Sequence, residues 1–153
     1  MVSLACIVQA ITVILTVFTS PTGGQITNGG FASFCAFTGA ILVDGHLLGM
    51  YCENNDIAIF GYNYTWIDLD YCIGNYIGML RPQEFGHYSA SCRGCIINFD
   101  STLWLDCICP DLRHLPVHST IDLNTTLFDY DGALGCFRVL GNKTREGPPL
   151  PNN

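Results

Sequence analysis

The chain carries one sequence pattern twice, and this repeat limits the choice of fold more than any other feature. Residues 66–70, Trp-Ile-Asp-Leu-Asp, return 54 positions later as Thr-Ile-Asp-Leu-Asn at 120–124. The match continues in register, with Ile73, Asn75, Tyr76, Gly78 and Leu80 opposite Leu127, Asp129, Tyr130, Gly132 and Leu134. Upstream, Leu48 and Cys52 align with Leu103 and Cys107, and Cys35 with Cys92, after a two-residue difference in length. This conserved spacing predicts two copies of one structural unit.

Short β-rich runs make up each copy. Residues 41–43 and 96–99 are such runs, and a turn signal follows each, Asp44-Gly45 or Asp100-Ser101. The Ile-Asp-Leu segments alternate apolar and polar residues, as half-buried strands do. Residues 76–80 and 130–134 are predicted hairpins, and Asp131-Gly132 suits a turn with positive φ. Since no long 3.6-residue period occurs, the sequence predicts an all-β fold with little helix.

The first 24 residues are predicted to be a signal peptide. Residues 4–18 form an apolar stretch that is short for a bilayer span and ends at the turn-rich residues 20–24. We expect cleavage between Ser20 and Gln25 and a secreted, extracellular product. An uncleaved membrane anchor is the alternative, because the amino group is the only positive charge near the start. No other segment is apolar enough to span, so no membrane contact is expected after cleavage.

Three Asn-X-Ser/Thr sequons accompany the predicted signal peptide. They lie at Asn63, Asn124 and Asn142. In a secreted chain such sequons are acceptors for N-glycosylation, so we expect a glycoprotein.

Secretion gives the cysteines a structural role. Once Cys6 is removed with the signal peptide, eight remain: Cys35, Cys52, Cys72, Cys92, Cys95, Cys107, Cys109 and Cys136. An even number in an oxidising compartment predicts a disulfide framework. The repeat suggests the matched bridges Cys35–Cys52 and Cys92–Cys107. Cys95–Cys109 would be a third bridge and Cys72–Cys136 would link the repeats, but the sequence leaves the pairing of these four open.

Charge and motif content exclude several functions. The net charge is −7, and six basic residues spread over 153 positions cannot form the basic stripe that nucleic-acid binding needs. The histidines are scattered, and Pro116 prevents a regular helix from presenting His114 and His118 to a metal. The C-x-x-C motif at 92–95 is better explained by structural disulfides in a secreted chain. We therefore expect no enzymatic activity, no metal and no cofactor.

Together, the two units resemble a cyanovirin-N homology domain of the secreted fungal kind. The segments that carry the resemblance include Phe-Ala-Ser-Phe-Cys at 31–35, Leu-Gly-Met-Tyr-Cys at 48–52, residues 67–69 and 73–80, and their counterparts at 88–92, 103–107, 121–123 and 131–134. The resemblance covers residues 28–138, with repeats at about 28–83 and 84–138. It implies a pseudo-twofold all-β protein in which each half has a triple-stranded sheet and a hairpin, and the halves exchange segments. Residues 139–153 are expected to form a disordered tail.

The resemblance also implies binding of mannose-type glycans at one or two sites. The first site would consist of Gly30, Ser33 and Phe34, then Glu53 and Asn55, and finally Asp129, Tyr130 and Asp131. Phe34 and Asp129 depart from the family pattern, which has an amide or hydroxyl side chain and an Asn there. The second site would use Asn75, Tyr76, residues 87–91 and the segment after Cys107. Ala90 and residues 108–110 depart from its pattern, so we expect this site to be degenerate.

Two functions agree with these residues. One is a lectin for mannose-rich glycans or glycoproteins, in which carboxylates such as Glu53 and Asp131 accept hydrogen bonds from sugar hydroxyls. The other is a cysteine-rich secreted structural or host-interaction protein that has the same fold without sugar binding. In that case Asp131 belongs to a plain β-turn, Glu53 is a solvated loop charge and Asn75 is a turn residue. Convergence of the acidic and amide side chains on one pocket favours the lectin, and scattering favours the alternative.

Overall fold

The computed structural model describes residues 28–55 and 62–144. The predicted signal peptide and residues 145–153 lie outside the described residues. The described chain is all-β, with short 3-10 helices at Phe31–Ser33, Leu69–Tyr71, Tyr88–Ala90 and Leu123–Thr125. The strands are β1 Cys35–Val43, β2 Leu47–Glu53, β3 Tyr62–Asp68, β4 Ile73–Tyr76, β5 Met79–Pro82, β6 Arg93–Phe99, β7 Leu103–Pro110, β8 Pro116–Asp122, β9 Phe128–Tyr130, β10 Ala133–Cys136, β11 Val139–Leu140 and β12 Asn142–Thr144.

Each repeat forms an antiparallel three-stranded sheet followed by a hairpin. The first repeat has the sheet β1-β2-β3 and the hairpin β4-β5, and the second has β6-β7-β8 and β9-β10. Ile67 lies opposite Leu48 in the first sheet, and Ile121 lies opposite Leu105 in the second. Both hairpins turn through two residues of positive φ, at 77–78 and 131–132. The predicted fold class, an all-β tandem repeat with triple-stranded sheets and hairpins, is confirmed.

Each hairpin is fastened to the sheet of the other repeat. The N–H of Leu80 donates to Oγ of Ser119 at 2.8 Å, and the N–H of Leu134 donates to Oγ1 of Thr65 at 3.1 Å. The donors are 54 positions apart, and so are the acceptors. The halves therefore exchange their hairpins in the pseudo-twofold manner that the resemblance implied.

The Ile-Asp-Leu segment ends a strand in both repeats and caps the 3-10 helix that follows. Oδ1 of Asp68 accepts from the N–H of Asp70 at 3.0 Å, and Oδ1 of Asp122 accepts from the N–H of Asn124 at 2.8 Å. An aspartate at this position satisfies an N–H that the helix itself cannot pair. These two aspartates are thus structural caps.

One apolar core runs through both repeats. Its fully buried members include Phe31, Leu48, Met50, Leu69, Ile73, Tyr88, Leu103, Leu105, Leu123, Leu127 and Leu134. Tyr88 keeps a hydrogen-bond partner inside this core, because its hydroxyl donates to the carbonyl oxygen of Gly45 at 2.7 Å. Burial, with a smaller effect of Asp70 and Asp68, raises the pKa of Tyr88 far above its usual value. The side chain therefore acts as a neutral donor that ties the second repeat to the first.

The disulfides of the second repeat differ from the expected pairs. The structure contains Cys35–Cys52 and Cys72–Cys136 as expected, but it joins Cys92 to Cys109 and Cys95 to Cys107. The reason is register: β6 pairs Arg93 with Ile108 and then, after an irregularity, Ile96 with Asp106. Cys109, and not Cys107, is therefore the counterpart of Cys52, and both bridges span 17 positions. Cys95–Cys107 is an additional bridge of the second repeat.

The expected disordered tail is also corrected for its first residues. Val139–Leu140 adds β11 to the second hairpin, and Asn142–Thr144 adds β12 to the free edge of β3. Backbone hydrogen bonds at a sheet edge can order a polar segment that has no hydrophobic period. Among the described residues, no helix has the length and apolar character needed to cross a membrane.

Candidate functional site

A pocket opens where the sheet of the first repeat meets the hairpin of the second. It has a volume of about 580 Å³ and is lined by Phe34, Glu53, Asn55, Asp129, Tyr130 and Asp131. We call it the Glu53 pocket. All six lining residues belong to the first site that the resemblance implied. Gly30 and Ser33, which were also expected there, lie nearby on the exposed turn before Phe34 but do not line the pocket.

The wall of the Glu53 pocket is fixed by backbone and disulfide bonds. The N–H of Glu53 donates to the carbonyl oxygen of Phe34 at 2.8 Å. The Cys35–Cys52 disulfide joins the residues next to them, across directly paired positions of β1 and β2. Phe34 and Glu53 therefore enter the pocket from a rigid base, which reduces the entropy that ligand binding would cost.

Asp131 lies at the tip of the second hairpin and links three parts of the chain. It has φ of 53° and precedes Gly132 with φ of 80°, as a tight two-residue hairpin turn requires. Its Oδ1 accepts from the N–H of Asn55 at 2.9 Å, and its Oδ2 lies 3.1 Å from Nζ of Lys143. The Asn55 hydrogen bond, followed by the Lys143 ammonium, holds the pKa of Asp131 below its usual value. Asp131 is thus an ionised, oriented acceptor.

Asp129 lies deeper in the same pocket, and its pKa is shifted in the opposite direction from that of Asp131. Its carboxylate approaches the Sγ atoms of the Cys35–Cys52 bridge, with all three atoms within 4.8 Å of one another. Burial raises the pKa of Asp129 to about 6, although the Gly132 N–H and Lys143 oppose the shift. Oδ1 is buried and has no hydrogen-bond partner among the described residues, and Oδ2 accepts only a long 3.5 Å bond from Gly132. A buried acceptor without a donor can be satisfied by a ligand hydroxyl.

Two aromatic side chains border these carboxylates. The Phe34 side chain is 51% exposed and the Tyr130 side chain is 59% exposed. Flat, exposed rings beside fixed acceptors suit a sugar, which has an apolar ring face and polar hydroxyl edges. The pocket therefore combines apolar surface with three carboxylates and the amide of Asn55.

Asn75 does not join this group. It lies at the opposite hairpin, where its Nδ2 donates to Oγ of Ser91 at 3.1 Å and to the carbonyl oxygen of Pro110 at 3.2 Å. Its Oδ1 accepts from the N–H of Gly78 at 2.8 Å. Both ends of the amide thus hold the β4-β5 turn against the second repeat. Asn75 therefore has the role of a turn residue, which the sequence offered as the alternative to sugar binding.

A second, smaller cavity lies beside Asn75. Its volume is about 350 Å³, and its lining residues are Ser91, Arg93, Ile108, Pro110, His114 and Pro116. This lining contains no carboxylate, in contrast to the Glu53 pocket. The sequence did not identify Arg93 and His114 as lining one cavity, nor Lys143 as the partner of Asp131, because each pair joins a strand residue to a turn residue distant in the chain.

The fold and the pocket lead to one family. The family model of the CVNH domain matches residues 31–135, more than two thirds of the chain. The chain belongs to the CVNH family. CVNH stands for cyanovirin-N homology, so the suspected resemblance is confirmed. This is a family of lectins without enzymatic activity, which also confirms that the chain is not an enzyme.

Solved CVNH structures share the fold at low sequence identity. The CVNH protein of Gibberella zeae is 23% identical, with a TM-score of 0.60, and the match covers 69% of this chain and 95% of that one. Microvirin in complex with mannobiose is 20% identical, with a TM-score of 0.58 and coverage of 71% and 99%. A MoCVNH3 variant in complex with (N-GlcNAc)4 is 16% identical, with a TM-score of 0.61 and coverage of 74% and 100%. No curated protein sequence matches the chain.

Proposed function

We propose that this CVNH domain is a secreted lectin that binds mannose-rich glycans, free or on glycoproteins, in the Glu53 pocket. The observation that carries the proposal is the convergence of Glu53, Asn55, Asp129 and Asp131 on one pocket of about 580 Å³. A scaffold that had lost sugar binding would have no need to bring these side chains together. Microvirin, a relative with the same fold, has a structure with mannobiose.

The chemistry of the pocket suits a sugar with neighbouring hydroxyls. Asp131 is held as an acceptor by Asn55 and Lys143, and the Oδ1 of Asp129 is a buried acceptor with no donor in the part of the chain that the structure describes. A mannose hydroxyl pair can donate to two such carboxylates at once. Tyr130 and Phe34 then offer rings on which the apolar face of the sugar packs. Because the acceptors are already oriented, little ordering entropy opposes binding.

Secretion is part of the proposal. The described residues contain four disulfides, which persist in oxidising compartments and are rare in the cytosol. The predicted signal peptide at 1–24 would direct the chain there. A cell wall or cell surface rich in mannosylated glycoproteins is then the accessible source of ligand.

The test is a titration of the oxidised mature protein with oligomannose, followed by amide NMR shifts. We expect saturable shifts centred on Glu53, Asn55 and Asp131. A parallel titration with (N-GlcNAc)4 distinguishes the sugar class, since a MoCVNH3 variant has a structure with that ligand. Shifts with the GlcNAc oligomer alone would retain the lectin and overturn the mannose preference. No shift with either sugar at millimolar concentration would favour the secreted scaffold.

A matched pair of variants locates the site. Glu53→Gln removes one charge-assisted acceptor from the pocket and should weaken oligomannose binding by about tenfold, the effect of losing one such hydrogen bond. Glu84→Gln makes the same chemical change outside the lining residues and should leave the affinity unchanged. Equal affinity of Glu53→Gln and the unmodified protein would mean that the sugar binds elsewhere.

A further inference from the structure

The outer face of the first sheet carries a row of aromatic rings. Tyr51 and Tyr64 meet edge to face at 4.8 Å between ring centres, and Tyr64 and Trp66 at 5.3 Å. The ring of Trp66 lies close above Gly49, because a Cβ atom built at Gly49 would be 2.8 Å from its Cε3 and Cζ3 atoms. Trp66 itself is half-buried and Tyr51 is 38% exposed. Tyr64, the middle ring, is only 2% exposed, so Trp66 and Tyr51 are the members of the row that present flat apolar surface.

Asn142 lies directly opposite Trp66 in the β12–β3 register. Directly paired residues of antiparallel strands point to the same face of the sheet, with Cβ atoms about 5 Å apart. Asn142 is exposed and begins the sequon Asn142-Lys143-Thr144. Thr144 pairs with Tyr64 and lies on the same face, whereas Lys143 between them reaches Asp131 of the Glu53 pocket. The register thus puts a glycan acceptor beside an aromatic ring and away from the pocket.

The other two sequons are placed differently. The Oδ1 of Asn124 accepts from the N–H of Ala32 at 2.9 Å, and the residue is half-buried. The Nδ2 of Asn63 would lie 3.1 Å from a Cβ atom at Gly132, so it faces the hairpin turn that carries Asp131. A glycan on Nδ2 of Asn63 would meet that turn, and a glycan on Asn124 would be attached to an amide that already binds the backbone at Ala32. Asn142 has neither constraint.

We propose that Asn142 carries an N-linked glycan whose first N-acetylglucosamine packs on Trp66 and covers this aromatic face. The glycan is attached in the secretory pathway from an oligosaccharide linked to a lipid pyrophosphate. The Nδ2 of Asn142 forms a bond to C1 of the oligosaccharide, the bond from C1 to the pyrophosphate oxygen breaks, and one amide proton leaves with the lipid pyrophosphate. The apolar face of the sugar then lies over the indole ring and removes both from water.

The test uses the full chain secreted from a eukaryotic host. Glycopeptide mass spectrometry should find Asn142 occupied. Trimming the glycan to one N-acetylglucosamine should retain most of its stabilising effect, and Asn142→Gln should lower the unfolding midpoint by about 2–5 °C relative to the trimmed protein. In a Trp66→Leu background the same comparison should show no shift, which assigns the effect to the indole. An unoccupied Asn142, or an equal shift in both backgrounds, overturns the proposal.

A second measurement does not depend on replacing Trp66. The chain has two tryptophans, so a Trp104→Phe background leaves Trp66 as the only indole that fluoresces. Acrylamide should quench this fluorescence less in the glycosylated protein than in Asn142→Gln. Equal quenching would show that the sugar does not cover Trp66. Thr144→Ser retains the sequon and serves as the matched control, because it should behave as the glycosylated parent does.

Discussion

The backbone N–H of Leu134 donates a buried hydrogen bond of 3.1 Å to the hydroxyl of Thr65. Thr65 belongs to the sheet of the first repeat, whereas Leu134 belongs to the hairpin that brings Asp129 and Asp131 into the Glu53 pocket. The pocket therefore depends on a contact between the repeats that neither repeat could form alone. Ser119 and Leu80 make the equivalent contact for the other hairpin at 2.8 Å.

Thr65→Val should loosen the hairpin and weaken the Glu53 pocket. The substitution keeps the shape of the side chain but leaves the Leu134 N–H buried without an acceptor, which costs about 1–3 kcal/mol. We expect this loss in the free energy of unfolding measured by urea denaturation, together with weaker oligomannose binding. Thr65→Ser should largely restore both.

Ser119→Ala provides the matched control for this prediction. It removes the repeat-related acceptor and should destabilise the fold by a similar amount, about 1–3 kcal/mol. The Glu53 pocket lies at the other hairpin, so oligomannose affinity should stay unchanged while the protein is folded. Equal effects of both variants on affinity would contradict the assignment of the pocket to the second hairpin.

Asp129 should make stability fall as the pH rises. Its folded pKa of about 6 lies above the usual value of 3.8, so the folded state binds more protons than the unfolded state between these values. The stabilising contribution is full below the unfolded pKa and is lost as the pH rises through about 6. Asp129→Asn removes this loss and should raise the free energy of unfolding at pH 8 by on the order of 1–2 kcal/mol. Near pH 3.5 the two proteins should be equally stable.

Asp131→Asn should show the opposite pH dependence and is the control for Asp129→Asn. Because the Asn55 hydrogen bond and Lys143 lower the pKa of Asp131, its contribution is present above the unfolded pKa and is lost as the pH falls through the folded pKa. The variant should therefore be less stable than the parent at neutral pH and should match it in strong acid. Urea midpoints measured across the pH range would give both profiles. Parallel profiles for the two variants would contradict the opposite environments of these carboxylates.

The disulfide that links the repeats should contribute most to stability. Cys72–Cys136 closes a loop of 64 positions, whereas Cys95–Cys107 closes 12 positions inside the loop already closed by Cys92–Cys109. Since the cost of loop closure grows with loop length, the double variant Cys72→Ala/Cys136→Ala should lose about 4 kcal/mol and Cys95→Ala/Cys107→Ala about 2 kcal/mol. Guanidinium denaturation without reductant measures both losses. The reverse order would show that the inner bridge has a role beyond constraining the unfolded chain.

The tandem architecture could be predicted because the repeat keeps its spacing and strands alternate with period two. The disulfide pairing of the second repeat could not be predicted, because the two-residue difference in length between the repeats can be placed on either side of the cysteines in β7. Only the shift in register between Arg93 and Ile96 decides that Cys109 lies opposite Cys92. Strand β12 was missed for a related reason: Asn-Lys-Thr has no apolar side chain and is ordered by the backbone of β3.

The residues that line the Glu53 pocket could be predicted from the family resemblance, but the pKa shifts of its carboxylates could not. Asp129 and Asp131 are two positions apart on one hairpin, yet their pKa values move in opposite directions. The difference arises from the burial of Asp129 beside the Cys35–Cys52 bridge and from Asn55 and Lys143 beside Asp131. These neighbours come from distant parts of the chain, so no local pattern reports them.

Ile77 occupies a turn position that suits a different residue. It has φ of 55° at the first position of the β4-β5 turn, where the second repeat has Asp131 at 53°. A β-branched side chain is strained in this left-handed region, whereas Asn tolerates it well. The Ile77 side chain is 43% exposed, so replacing it sacrifices little burial. Ile77→Asn should therefore raise the free energy of unfolding by about 0.5–1.5 kcal/mol, measured by urea denaturation. Ile77→Val keeps the branch and should bring no gain, and a destabilised Ile77→Asn would show that contacts of the isoleucine outweigh the strain of its backbone.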